Sequence, residues 1–104
     1  MIALVDGDIP VLGVTVNPGK GEEYFAAAGE GAFVVRGGAA RRLNVSQTED
    51  LATARLMASR SHFSEDLRTI AHAAGIPGTK IIRAGSVGLK VGMLSEAAAD
   101  LYLH

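Results

Sequence analysis

The alternation of apolar and polar positions changes character near residue 46. Before that point, short runs rich in β-branched residues are cut at regular intervals by glycine, proline, asparagine or aspartate. Met1–Val5 stops at Asp6-Gly7-Asp8, a hairpin signal because glycine takes a positive φ without a Cβ clash. Pro10–Val16 closes at Asn17-Pro18-Gly19, Glu23–Ala28 turns at Gly29-Glu30-Gly31, and Ala32–Arg36 turns at Gly37-Gly38 into Arg41–Val45. Such punctuation predicts an antiparallel meander over residues 1–45. Arg41 and Arg42 read as charges on an edge strand that discourage edge-to-edge pairing.

Ser46-Gln47-Thr48-Glu49-Asp50 reads as a polar connector with no packing demand. Beyond it Arg55–Ser59 is a short strand. Ser64-Glu65-Asp66 opens a helix, with a capping serine and acids at the positive end of the dipole. Phe63, Leu67, Ile70, Ala71 and Ala74 form an apolar stripe at helical period, and Gly75 and Pro77 end it in the usual order. Thr79–Ala84 is the next strand. A second helix is predicted over Val87–Ala98, with Val87, Val91, Leu94 and Ala98 on one face, and Asp100–Leu103 is a closing strand.

Strand–helix–strand spacing over residues 55–104 predicts parallel pairing with right-handed crossovers, a βαβαβ segment. The expected fold is therefore α/β in composition (α+β in order): an antiparallel meander, then βαβαβ, in one domain over residues 1–104. Parallel strands put their carboxyl ends at one sheet edge, where open α/β sheets bind ligands. Those ends carry Ser59-Arg60-Ser61-His62 and Gly85-Ser86.

Composition narrows the class. The chain has 104 residues, 48% of them hydrophobic and 20% charged, with no cysteine, which excludes intrinsic disorder, disulfides and thiolate metal sites. A net charge of −1 argues against a nucleic-acid binder relying on a basic field, and no apolar run reaches membrane-span length. A soluble, cytoplasmic domain is expected, with neither nucleic acid nor membrane as partner.

Gly85-Ser86-Val87-Gly88-Leu89-Lys90 lies where a strand turns into a helix. Free N–H groups there attract an anion, and Lys90 offers a cation to the same or a second phosphate. The segment is neither a P-loop nor a dinucleotide fingerprint. The alternative is that Ser86 only caps the helix, Gly88 and Gly92 only pack, and Lys90 is a solvated charge. Ser59-Arg60-Ser61-His62 offers hydroxyls, a guanidinium and an imidazole. A serine–histidine nucleophile pair lacks an orienting acid, so Arg60 and His62 read better as ligand contacts, the alternative being a surface capping cluster. Glu96 and Asp100 flank the second helix as one solvated face or a distant ligand pair, and His72 reads as a surface residue. No carboxylate pattern for a metal appears.

Ile2-Ala3-Leu4-Val5-Asp6-Gly7, Pro10-Val11-Leu12-Gly13-Val14 and Asn17-Pro18 resemble the central sheet of the inositol monophosphatase superfamily. The hairpin Glu23-Tyr24-Phe25-Ala26-Ala27-Ala28-Gly29-Glu30-Gly31-Ala32-Phe33 continues the likeness. Ser59-Arg60-Ser61-His62, Gly85–Lys90 and Glu96–Tyr102 are similar to the 3'(2'),5'-bisphosphate nucleotidase (CysQ-type) branch. The resemblance implies a layered α/β/α/β/α fold and a Mg²⁺-dependent phosphomonoesterase, a hydrolase of sulfur metabolism that converts adenosine 3',5'-bisphosphate to AMP. It implies substrate contacts at His62, Gly85, Ser86 and Lys90, with His104 where the branch often carries a basic residue.

The family's metal ligands come from a Glu-Glu pair, an Asp-Pro-[Leu/Ile]-Asp-Gly-Thr motif and a Trp-Asp motif, and none of the three occurs in this chain. Asp6-Gly7 lacks the proline, first aspartate and threonine. The resemblance thus implies the middle of a longer protein, an incomplete domain in which no residue here is catalytic and no metal is held, Mg²⁺ belonging to the full-length parent. An inositol or other sugar monophosphatase of the same fold, and a non-catalytic module that binds phosphorylated ligands, are the alternatives. With flanking elements missing, the sheet would leave apolar faces and edges open, and the chain is expected either to form a homo-oligomer through the exposed sheet or to be marginally folded.

Overall fold

The meander forms strand by strand. In the computed structural model, which describes residues 1–103, five strands pair antiparallel in chain order. They are β1 (Ile2–Asp6), β2 (Ile9–Asn17), β3 (Glu22–Ala27), β4 (Gly31–Arg36) and β5 (Ala39–Arg42). These strands make up one compact unit, residues 1–44. The β1–β2 register slips between Leu4 and Val5, opposite Pro10, which has no N–H to give to the ladder.

Strand β5 begins earlier than the Arg41–Val45 of the sequence pattern. Gly37 and Gly38 both take positive φ (57° and 80°), and this two-residue turn lets Ala39 pair at once with Arg36. Leu43 follows the last residue of β5 and continues its register with β4. Its N–H donates to the Ala32 carbonyl at 2.8 Å, and its side chain is buried against Tyr24 and Val34. The other face of this sheet carries Ile2, Leu4, Leu12 and Val16, all exposed, beside the stacked Phe25–Phe33 pair with ring centroids 5.3 Å apart.

The second unit starts at Val45. It contains β6 (Leu56–Ser59), α1 (Glu65–Ala73), a 3-10 turn at Gly78–Lys80, β7 (Ile81–Ala84), α2 (Val87–Ser95) and β8 (Leu101–Tyr102). Its sheet runs β7-β6-β8, with both pairings parallel. Central β6 is buried at every position, and Leu56, Ala71 and Ile76 form the core, with Ile81 and Leu101 packed on it. This is the α+β architecture expected, a meander followed by βαβαβ. Lys80 ends the 3-10 turn, so β7 starts two residues later than the pattern's Thr79.

Both helices end in the same hydrogen-bond pattern. After α1, Gly75 (φ 76°) donates to the His72 carbonyl and Ile76 to that of Ala71; the side chains of Ile76 and Ala71 then meet in the core. After α2, Ala97 (φ 59°) donates to Leu94 and Ala98 to Met93. The left-handed Ala97 stops α2 at Ser95 rather than at Ala98. The buried side of α2 also differs from the expected one. Val87 and Val91 are each 52% exposed, while Gly88, Lys90 and Gly92 are buried, the glycines allowing close approach. Of the α1 stripe, Ala71 is buried but Ile70 is exposed, as is His72.

Candidate functional site

The parallel pairing of β6 and β7 sets Ser59 opposite Ala84, and the Arg60 N–H donates to the Ala84 carbonyl at 3.2 Å. The stretches 59–62 and 85–86 therefore leave the sheet side by side, at the carboxyl edge. At Gly85 the absence of a side chain gives room to its neighbour. A Cβ on it would lie 2.6 Å from a terminal guanidinium nitrogen of Arg60, which crosses the glycine directly.

The local geometry follows from the small polar side chains. Ser59, buried, accepts the His62 N–H on its Oγ at 3.2 Å and folds the loop back after β6. Ser61 Oγ and His62 Nδ1 are 3.1 Å apart, so the serine and histidine do meet although they are adjacent in sequence. Among the described residues no carboxylate contacts the imidazole, and the pair lacks the third group that orients a base. Ser64 caps α1 by accepting the Leu67 N–H at 3.3 Å.

Ser86 does not act as a side-chain cap for α2. Its φ of 56° is one that L side chains rarely adopt, and its hydroxyl makes no capping bond. The reading of Ser86 as a simple helix cap is thus incorrect. Lys90 is likewise not a solvated charge. It is 2% exposed, its Nζ donates to Tyr102 Oη at 2.9 Å, and it sits 4.3 Å from the centre of the Tyr102 ring. The proposed contact His104 lies outside the described residues.

The acids at the end of α2 correct a second expectation. Asp100 is neither a solvated carboxylate nor a free ligand. Its side chain is 4% exposed, and it receives Arg55 Nε at 3.1 Å, an Arg55 terminal nitrogen at 2.9 Å and the Arg55 backbone N–H at 2.6 Å. The guanidinium hydrogen bond holds the Asp100 carboxyl well below the usual carboxylate range; burial opposes this, and Ser46 assists it. The connector residue Ser46 therefore does carry a structural bond. Arg55 is raised in turn, chiefly by the hydrogen bond it donates to Asp100, and it also donates to the Ala97 carbonyl at 2.7 Å. In the first unit, burial opposes the lowering of Glu22, which the Arg36 and Asn17 hydrogen bonds bring about; Arg36 Nε lies 2.8 Å away.

Among the described residues no three histidine, aspartate or glutamate side chains gather as a metal ligand set. With Asp100 taken up by Arg55, these residues do not fit a magnesium site. A shallow hollow on the first sheet is lined by Ala3, Pro10, Leu12, Gly13 and Ala26 and offers no ionisable group. No helix among the described residues is long and apolar enough to cross a membrane.

The chain is thus an α+β protein in which an antiparallel meander is followed by a parallel βαβαβ unit, with a polar loop and a strand-to-helix turn side by side at one edge of the parallel sheet. The whole chain, residues 1–104, matches the Inositol monophosphatase family, and it belongs to that family. Among solved structures it resembles SuhB from Mycobacterium tuberculosis, with TM-score 0.80 at 22% identity over 96% of this chain and 42% of that one, a likeness of fold alone. It also resembles CysQ from Bacteroides thetaiotaomicron, a bacterial member of the same family, with TM-score 0.72 at 27% identity over 96% of this chain and 42% of that one. SuhB from Bartonella henselae gives TM-score 0.72 at 25% identity, over 94% of this chain and 38% of that one. The chain thus spans less than half the length of each of these proteins. No curated protein matches it.

Sequence reasoning missed two partners at this edge. Tyr102 lies in a strand of two residues, too short for any periodicity to mark which way its ring faces. The Arg60–Gly85 crossing joins residues 25 positions apart, and only the G-S dipeptide at a strand end hinted at a close approach.

Proposed function

We propose that this chain is the substrate-gripping part of a Mg²⁺-dependent phosphomonoesterase acting on 3'(2'),5'-bisphosphate nucleotides, adenosine 3',5'-bisphosphate being converted to AMP. The observation that carries the reading is the carboxyl edge of the parallel sheet, where the 59–62 loop adjoins the Gly85-Ser86 turn. In this reading His62, Gly85, Ser86, Lys90 and His104 contact the substrate. The backbone at Gly85 and Ser86 and the start of α2 offer donors to a phosphate. The His62 ring and the Ser86 hydroxyl add hydrogen bonds, and the Lys90 ammonium supplies charge. Support for the nucleotide comes from the likeness to CysQ and from the presence of a lysine beside the turn, since a second phosphate calls for a further cation.

Magnesium, which the family uses, would be held by carboxylates that the described residues do not supply, and the ester would be broken only where those carboxylates are present. An inositol or other sugar monophosphate is the second reading, favoured by the family's own description. Thermal shift with adenosine 3',5'-bisphosphate, AMP and inositol 1-phosphate separates the two. The bisphosphate is expected to raise the melting temperature most. A larger shift with inositol 1-phosphate would replace the nucleotide by the sugar, and no shift with any of them would overturn the site. Phosphate release by the same chain, with millimolar Mg²⁺ and a chelated control, is expected to be absent; chelator-sensitive turnover would overturn the division of labour.

A further inference from the structure

We infer that Tyr102 is a positioning residue for the ligand-binding edge, holding the Lys90 ammonium in place without cancelling its charge. The inference rests on the proposed anion site and goes one residue further than it. Two cationic side chains of this unit are tied down in opposite ways. Arg55 is engaged by the buried carboxylate of Asp100, with bonds of 2.9 and 3.1 Å, and its field is neutralised where it stands. Lys90 is more deeply buried, at 2% exposure, yet among the described residues its Nζ meets a phenol and a ring face rather than a carboxylate.

Burying an ammonium is costly unless something compensates it. The Tyr102 oxygen at 2.9 Å and the electron-rich ring face, 4.3 Å from Nζ to the centroid, are such compensation, and both are neutral. A neutral partner orients a cation and leaves its net charge for an anion. The tyrosine oxygen also accepts from only one of the three ammonium N–H groups, leaving donors for phosphate oxygens. A lysine already ordered by its neighbour loses less rotamer freedom when a ligand arrives than one swinging in solvent. Placement agrees with this. Lys90 is the fourth residue of α2, the helix that starts directly after Gly85-Ser86, and Tyr102 is the last residue of β8, whose carboxyl end shares the edge with β6 and β7.

The test titrates adenosine 3',5'-bisphosphate and AMP into the full chain and into Lys90→Met, Tyr102→Phe and Tyr102→Leu, by calorimetry. The readout is the ratio of the two affinities. A partly unfolded variant weakens both ligands equally, so the ratio reports the site and not stability. Lys90→Met is expected to cut the preference for the bisphosphate by about tenfold or more, the loss of a charge-assisted contact. Tyr102→Phe, which keeps the ring and removes only the oxygen, should cut it by about threefold, and Tyr102→Leu should approach Lys90→Met. If Lys90→Met lowers the ratio while both Tyr102 variants leave it unchanged, the positioning role is overturned and the anion site survives. If Lys90→Met also leaves it unchanged, or the unsubstituted chain binds neither nucleotide, the inference falls together with the site.

Discussion

Replacing Asp100 by asparagine tests the strongest electrostatic statement the fold makes. One carboxylate oxygen accepts both the Arg55 backbone N–H at 2.6 Å and Arg55 Nε at 3.1 Å, and the other accepts a terminal guanidinium nitrogen at 2.9 Å. An asparagine has one acceptor oxygen, so its NH₂ must face a donor of Arg55 whichever way the amide turns. Losing one partner of a fully buried ion pair costs about 3–5 kcal/mol, and an orphaned buried donor about 1–3 kcal/mol. The Arg55 side chain is 40% exposed and can recover water, which discounts the first figure. The net expectation is about 2–3 kcal/mol, or a fall of about 10–20 °C in melting temperature for a domain of this size.

The pH dependence has a defined sign. The Asp100 carboxyl is lowered in the folded chain from its unperturbed 3.8, so its stabilisation is complete above that value. It is lost as the pH falls below 3.8 toward the folded value. Urea unfolding followed by circular dichroism at pH 7, 5 and 3 should show the largest gap between Asp100→Asn and the unsubstituted chain at pH 7 and 5, narrowing at pH 3. A variant within about 0.5 kcal/mol of the unsubstituted chain at pH 7, or a gap that does not narrow in acid, would refute the reasoning.

Ala97→Gly should stabilise the chain by about 0.5–1 kcal/mol, because glycine takes the φ of 59° without the Cβ penalty; thermal unfolding would show it as a rise of a few degrees. Gly85→Ala places a Cβ 2.6 Å from the end of the Arg60 side chain, which can swing away, so the melting temperature should move little while affinity for adenosine 3',5'-bisphosphate falls. A large loss of stability would mean that Arg60 cannot yield. The exposed Ile2, Leu4, Leu12 and Val16 on one sheet face lead us to expect self-association, which light scattering would detect; a monomer at high concentration contradicts it, and Leu4→Lys should weaken it.

Much of this architecture was written in local signals. Four of the five meander strands fall where turn glycines and β-branched runs put them, and α1 runs between a capping serine and Gly75. Hairpins and caps are short-range devices whose chemistry lies within a few residues, so a sequence declares them. The convergence of 59–62 with 85–86 was also readable, because parallel strands joined by a helix have their carboxyl ends at one edge whatever the side chains do.

What depended on distant neighbours could not be read. α1 and α2 end in the same left-handed turn, but the first uses Gly75 and announces itself, whereas the second forces an alanine into that conformation beside Arg55, whose guanidinium takes the Ala97 carbonyl. Lys90 and Asp100 looked like surface charges because charged residues usually are. Whether a charge is buried is decided by the partner that compensates it, and those partners, Tyr102 and Arg55, lie 12 and 45 positions away. The sequence by itself determined the order of strands, the turns and the edge at which polar loops meet. Tertiary structure alone decided which of the charges are buried and whether a carboxylate or a neutral ring compensates them, because compensation of a buried charge is a contact across the fold and leaves no periodic trace along the chain.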